Sequence, residues 1–245
     1  MSDTTDVRPI RTFHPRRGRM SSRHADALAQ LWPAYGLRVI DGDRTPLNLA
    51  AMFGRDAPRV LEIGFGMGEV TAAMAAADPE RDYLAVEVHT PGIGNLLALV
   101  RDLGLTNVRV AHGDAMQLVH RLGPGVLDAL HVFFPDPWPK ARHHKRRLIQ
   151  PGNVRLLSRR LRPGGVLHCA TDWPDYATAM RTVLGAEPGL RELPAVRCGR
   201  PVTRYERRAI EAGRSIEELV FTNPPMRTSS AFVPTTTPRS REALP

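Results

Sequence analysis

Cysteine is scarce in this chain, and acids are outnumbered by bases. The two cysteines, Cys169 and Cys198, allow one disulfide at most. They lack the paired spacing of a metal knuckle, and both read as reduced thiols of a cytosolic protein. Histidines 112, 120, 131 and 168 are scattered and His143 and His144 are adjacent, a distribution that makes no metal set with the cysteines, so no metal is expected. No apolar run reaches the roughly 18–20 residues that a bilayer demands, which excludes a spanning helix. The opening MSDTTDVRPI has no apolar core after its basic residue, so no secretory signal is expected. There is no internal repeat. Against 25 acids stand 34 Lys and Arg, a formal charge of +9 that favours a polyanionic or acidic partner. A length of 245 residues suits one large domain with extensions, able to fold without disulfide or metal. Oligomeric state is not legible; a monomer is the default.

Three stretches differ in character. Residues 1–24 are polar and basic, with Arg11, Arg16, Arg17, Arg19 and Arg23 and no acid between the first and last. This segment is expected to be mobile when no partner is bound. Residues 25–222 form the domain. A short helix is expected over 26–37, ending near Pro33 or Gly36. From Arg59 the pattern becomes repeated strand, turn and helix. Strands are expected at RVLEIGFG, YLAVEVH, VRVAHGDA, DALHVFFPDP and VLHCATDW, with helices over 68–77, 91–103 and 148–161. Pro163, Gly164 and Gly165 form the turn feeding the fifth strand. Segments 191–198 and 217–222 are candidate edge strands. Apolar strands separated by helices point to a mostly parallel, doubly wound α/β sheet. Residues 223–245 hold five prolines with TSS and TTT runs and read as a disordered tail.

The first strand ends in Glu62-Ile63-Gly64-Phe65-Gly66-Met67-Gly68-Glu69. Glycines at alternate positions permit a tight turn and close approach of a ligand to the backbone. Their spacing departs from the dinucleotide fingerprint, and Glu69 stands where its third glycine belongs, so a pyrophosphate is disfavoured. Glu87, 23 residues after Gly64 at the end of the second strand, is placed to accept from a ribose diol. Asp114 follows the third strand and would lie toward the base of the same ligand. Glu62 would attract an ammonium or sulfonium. Each acid alone could be a loop solubiliser or a helix cap. Three at the carboxyl ends of successive strands match a cationic nucleoside without phosphates, and S-adenosylmethionine has those features.

After the fourth strand, three prolines stiffen Phe134-Pro135-Asp136-Pro137-Trp138-Pro139 and fix Asp136 beside the cofactor, nearest the transferring methyl. Trp138 reads as a base-stacking ring or as a structural wedge. From Lys140 to Arg147 every residue except Ala141 is Lys, Arg or His: Arg142, His143, His144, Lys145, Arg146 and Arg147. Such a run is compatible with several phosphate contacts. Asp172 ends the fifth strand, and Thr203-Arg204-Tyr205-Glu206 adds a hydroxyl and a carboxylate among bases. A carboxylate can accept from guanine N1 and its exocyclic amine, a use open to Asp172 or Glu206; spacing does not choose between them.

The blocks FHPRRGRMS, LEIGFGMGE, AVEVHTPGIGNLL, GDA, FFPDPWPKARHHKRRL, LRPGG, ATDWPDYA and PVTRYERR follow one another over residues 11–222. In this order they resemble the bacterial tRNA (guanine-N7-)-methyltransferase family, which methylates guanosine 46 in the variable loop of tRNA. The resemblance implies a Rossmann-like class I methyltransferase with a seven-stranded, mostly parallel sheet, one antiparallel strand and helices on both faces. It implies S-adenosylmethionine as cofactor, held by Glu62, Gly64, Gly66, Gly68, Glu87, Asp114 and Asp136, with a catalytic role for Asp136. It implies tRNA as partner, substrate contacts from Lys140, Asp172, Thr203, Arg204, Tyr205 and Glu206, and an RNA-interacting stretch over 142–147. Ala141, Arg204 and Tyr205 depart from the family's common Lys, Lys and Phe, and Arg208-Ala209 stand where it has a glycine. A small-molecule methyltransferase would leave the basic segments unexplained. A non-catalytic RNA-binding protein would leave Glu62, Glu87 and Asp114 without a task.

Overall fold

The structure, a computed structural model, describes residues 12–13, 18–194 and 200–225. Arg11, Arg16, Arg17, Cys198 and nearly all of the proline-rich tail lie outside them. Five strands form the centre of the sheet: β2 (Arg59–Ile63), β3 (Asp82–Glu87), β4 (Val108–His112), β5 (Leu127–Phe133) and β6 (Leu161–Thr171). Their apolar runs are buried on both faces, as parallel strands covered by helices require. The edges are β1 (Gly36–Arg38) at one side and β7 (Arg191–Leu193) at the other, with β8 (Glu217–Thr222) between β6 and β7. The full order is β1-β4-β3-β2-β5-β6-β8-β7, and β8 alone runs against the rest.

The eighth strand corrects the expectation of seven. Gly36–Arg38 pairs in parallel with β4, and the pairing continues as the Val39 amide donates to the His112 carbonyl at 3.0 Å. Three residues are too short to declare a strand period. The Pro163-Gly164-Gly165 turn also differs. Leu127 pairs with Leu161 and Ala129 with Val166, so residues 162–165 bulge out inside β6.

Among the described residues, eight α-helices cover the sheet. They are α1 (Ser22–Tyr35), α2 (Leu49–Phe53), α3 (Glu69–Ala77), α4 (Thr90–Leu103), α5 (Ala115–His120), α6 (Pro151–Ser158), α7 (Pro174–Gly185) and α8 (Arg204–Glu211). The helix expected over 26–37 starts earlier, where Ser21 caps it by accepting from the His24 amide, and Pro33 lies within its last turns. Arg23, expected in the mobile segment, is on α1 and pairs with Asp102 of α4. Leu96, Leu97 and Ala27 pack with Val60, Tyr83 and Val110 on one face of the sheet. Leu118, Leu157, Tyr176 and Met180 pack with Leu61, Leu84 and Leu130 on the other. At the far end Asn223, expected in the tail, donates through its side-chain amide to the Leu161 carbonyl at 2.8 Å and belongs to the domain. Among the described residues no helix is long and apolar enough to cross a membrane.

Leu130 has no exposed surface and sits in the central strand, so Leu130→Ala is expected to destabilise the fold by about 2–5 kcal/mol in urea titrations. Leu103→Ala, on an exposed helix end, should change it by no more than about 0.5 kcal/mol.

Candidate active site

The loop between β2 and α3 climbs in left-handed steps. Gly64, Gly66 and Gly68 have φ of +76°, +62° and +79°, values that a side chain resists. The first turn of α4 lies against this loop so tightly that a Cβ on Gly92 would stand 1.9 Å from the Gly66 carbonyl oxygen. Beside the loop, at the carboxyl ends of β2, β3 and β5, opens a cleft of about 360 Å³. Such a position, at the strand ends of an open sheet, is where α/β folds take their ligands.

The expected acids divide. Glu62, Glu87 and Asp136 all line the cleft, together with Gly64 and Gly66. Glu62 is 3% exposed and accepts from the Thr71 hydroxyl of α3 at 2.7 Å. Burial, with the Glu87 carboxylate nearby, pushes its carboxyl up to about 7. Glu87 accepts from the Gly66 amide at 2.9 Å on Oε2, and from the Val88 and His89 amides at 2.7 and 3.1 Å on Oε1. Three of its about four acceptor sites are therefore engaged by backbone, which leaves Oε2 room for one further donor. Asp114 stands between the lining residues Gly113 and Ala115, and its Oδ1 caps α5 by accepting from the Met116 amide at 2.8 Å. Gly68 and Asp114 shape the site without standing on its wall.

Asp136 sits in the middle of a strained crossing. Phe134 and Trp138 have φ of 50° and 47°, left-handed values at non-glycine residues that cost roughly 1–3 kcal/mol each unless their surroundings hold them. Both precede proline, which already disfavours the right-handed helical region. Trp138 is the wedge and not a stacking platform. It is 3% exposed, its indole N–H donates to the Thr12 carbonyl at 3.4 Å, the Arg146 guanidinium lies 4.9 Å above its ring and His143 meets its edge.

The residues expected on the substrate side are placed less uniformly. Thr203 and Tyr205 line the cleft, and the half-exposed Tyr205 ring leans on Phe134 with 5.6 Å between centroids. Arg204 is the first residue of α8. Lys140 is exposed and borders a smaller hollow of about 210 Å³ that shares Asp136 with the cleft. Glu206 has no exposed surface, accepts from Arg200 at 2.6 Å and closes a capping box with Thr203 at the start of α8. Asp172 is buried and ion-paired with Arg214 at 2.7 Å. Neither carboxylate reaches the cleft wall as the protein stands.

The basic run forms a 3-10 helix, Ala141–Arg146. Arg142 and Lys145 are exposed, and His143, His144 and Arg146 are half-buried. Arg147 stands apart from the rest of the run: it is 3% exposed and its guanidinium is engaged by the Pro137 carbonyl and the Asp175 carboxylate. Among the cleft residues that the sequence reading did not assign to a site are Thr12, Phe13, His89 and Arg208. Arg208 had a local signal, since it follows Tyr205 by three positions on α8 and shares its face. Thr12 and Phe13 come from far along the chain and had no local signal, although Phe13 opens the FHPRRGRMS block. Among the described residues no group of His, Cys, Asp or Glu is arranged to hold a metal. His131 is half-buried, and desolvation drives it down to about 3, so it is neutral at physiological pH.

A family model described as "Putative methyltransferase" matches residues 56–219. A Streptomyces avermitilis protein named tRNA (guanine-N(7)-)-methyltransferase is 53% identical, over 87% of this chain and 75% of its own length. A Nitrosospira multiformis protein of the same name is 51% identical, over 90% of this chain and 97% of its own. The chain belongs to the tRNA (guanine-N7-)-methyltransferase family. The fold of the family is also that of more distant methyltransferases. The 16S rRNA methyltransferase KamB aligns with a TM-score of 0.56 at 19% identity, over 77% of this chain and 99% of its own. The 16S rRNA (adenine(1408)-N(1))-methyltransferase of Catenulisporales acidiphilia aligns at 0.51 and 17%, over 75% and 94%.

Glu62 gives this family member a pH signature. Its folded-state pKa of about 7 lies above the unfolded value of 4.5, so the folded protein keeps a proton that the unfolded chain has released. That contribution is complete below about 4.5 and is lost as pH rises through about 7, on the order of 3 kcal/mol in total. In ligand-free urea titrations, wild type minus Glu62→Gln should therefore fall in stability from pH 5 to pH 8. A difference that stays flat would show that Glu62 is already ionised at pH 5.

Proposed function

We propose that this protein transfers the methyl group of S-adenosylmethionine to N7 of guanosine 46 in tRNA. The observation that carries the reading is the meeting of Glu62, Glu87 and Asp136 around one glycine loop, in a cleft that also takes in Thr203, Tyr205 and Arg208. The donor set suits the cofactor: carboxylates and open backbone favour a cationic nucleoside, and Glu69 at the loop's end opposes a pyrophosphate. Glu62 would hold the cationic end, Glu87 a ribose hydroxyl, and Gly113 and Ala115 the base end. The bound cofactor supplies an electrophilic methyl on a sulfonium.

Guanine N7 carries an in-plane lone pair and no proton, so no residue has to act as a base on it. What the chain must do is hold the purine in line and exclude water. Asp136 adds a fixed carboxylate where positive charge grows on the purine. Phe134 and Tyr205 offer ring faces to a base that has left its stack, an extrusion costing a few kcal/mol. Exposed Lys140, Arg142 and Lys145 face the backbone phosphates outside. Work on tRNA puts the protein in the cytoplasm.

Asp136→Asn should lower the single-turnover rate of methyl transfer to tRNA about 100-fold or more while tRNA affinity changes little. Full activity would remove Asp136 from this role. Neutralising Arg142 and Lys145 together should flatten the plot of log affinity against log salt by roughly 0.9 for each phosphate that is no longer neutralised. An unchanged slope would place both outside the RNA surface.

A further inference from the structure

The basic run contains one guanidinium turned inward, and it touches the backbone of the strained crossing that carries Asp136. Arg147 Nε donates at 2.9 Å to the carbonyl of Pro137, the residue directly after Asp136. Its Nη2 donates to Asp175 at the start of α7 and meets His144 Nε2 at 3.1 Å. The guanidinium plane lies 4.7 Å over the Tyr176 ring, and the Tyr176 hydroxyl accepts from the Ile149 amide at 3.1 Å. One side chain thus joins the crossing, the 3-10 helix and α7. A planar fork can bridge a carbonyl and a carboxylate at once, and a lysine ammonium cannot reproduce that geometry.

We propose that Arg147 is a positioning residue for methyl transfer: it clamps the crossing from Phe134 to Trp138 onto α7, fixes Asp136 at the cleft, and makes no contact with RNA. This rests on the reading of the cleft given above. The left-handed backbone at Phe134 and Trp138 persists only if something outside the segment holds it. Prolines stiffen the segment but do not tie it to the rest of the fold. Arg147 does tie it, from a site with 3% exposure that a phosphate could reach only by displacing Asp175. Release of the clamp would let Asp136 drift, and a misplacement of about 1 Å can lower a rate about 100-fold.

The test compares Arg147→Lys, Arg147→Met, Asp175→Asn and the double variant Arg147→Met with Asp175→Asn. Asp175 is 64% exposed, so its variant keeps the core intact should Arg147→Met fail to fold. At saturating cofactor and tRNA, each single variant should slow single-turnover transfer about 10- to 100-fold. The double variant should be no slower than the worse single one, because both changes break the same bridge. The salt slope of tRNA affinity should equal that of wild type in Arg147→Met. Hydrogen exchange over residues 133–140 should quicken in Arg147→Met and Asp175→Asn, a readout that needs no reaction. Arg147→Lys or Asp175→Asn at the wild-type rate with unchanged exchange would overturn the proposal. So would a salt slope flattened by about 0.9 in Arg147→Met, which would put this residue on a phosphate. A wild-type protein that leaves tRNA unmethylated would refute the functional reading instead; the exchange measurement would still decide whether Arg147 holds the crossing.

Discussion

One carboxylate ties two strand ends together, and the cleft is built on that tie. Glu87 ends β3, yet it accepts from the Gly66 amide in the loop that follows β2, as well as from the two amides after itself. The loop can bend toward it because its glycines take left-handed backbone, and α4 can lean on the loop because Gly92 presents no side chain to the Gly66 carbonyl. Negative charge is thereby fixed at the mouth of a site whose floor holds a second, buried carboxyl in Glu62. Two acids so close, one of them out of water, repel each other and wait for a cation. A phosphate-bearing ligand would meet the opposite field.

Around this centre the arginines serve two separate ends. Arg200 and Arg147 are buried and engaged by carboxylates. Arg200 binds Glu206 and Glu218 beneath the faces of Phe133 and Phe134, which fixes the start of α8 and the wall of the cleft together. Arg147 holds the crossing on the other side. Arg142, with Lys140 and Lys145, is exposed instead and adds positive charge to the surface. The excess of bases in the composition therefore mixes exposed charges with charges that brace the fold.

Much of this is readable from the residues. Strands buried on both faces write themselves as apolar runs, so β2 to β6 are plain, and the glycine spacing with Glu69 already disfavours a dinucleotide loop. Other features are not readable because their cause is tertiary. Gly36–Arg38 becomes a strand only because β4 offers an edge. Nothing local distinguishes Arg147 from Arg146; which guanidinium turns inward is decided by Asp175 and Tyr176, far along the chain. Glu206 does carry a local signal, masked by its charged neighbours: Thr203 and Glu206 have the spacing of a capping box, which engages the carboxylate at the helix start. Asp114 likewise precedes a helix and caps it, the bland role open to any acid after a strand.

On the proposed reading, recognition in this cleft turns on a buried carboxyl that becomes charged when a cation enters. Calorimetry of S-adenosylmethionine binding at pH 7, repeated in buffers of different ionisation enthalpy, measures this directly. With Glu62 held at about 7, binding should release about half a proton, and Glu62→Gln should abolish the release. Binding without proton release, or no binding at all, would refute that role for Glu62.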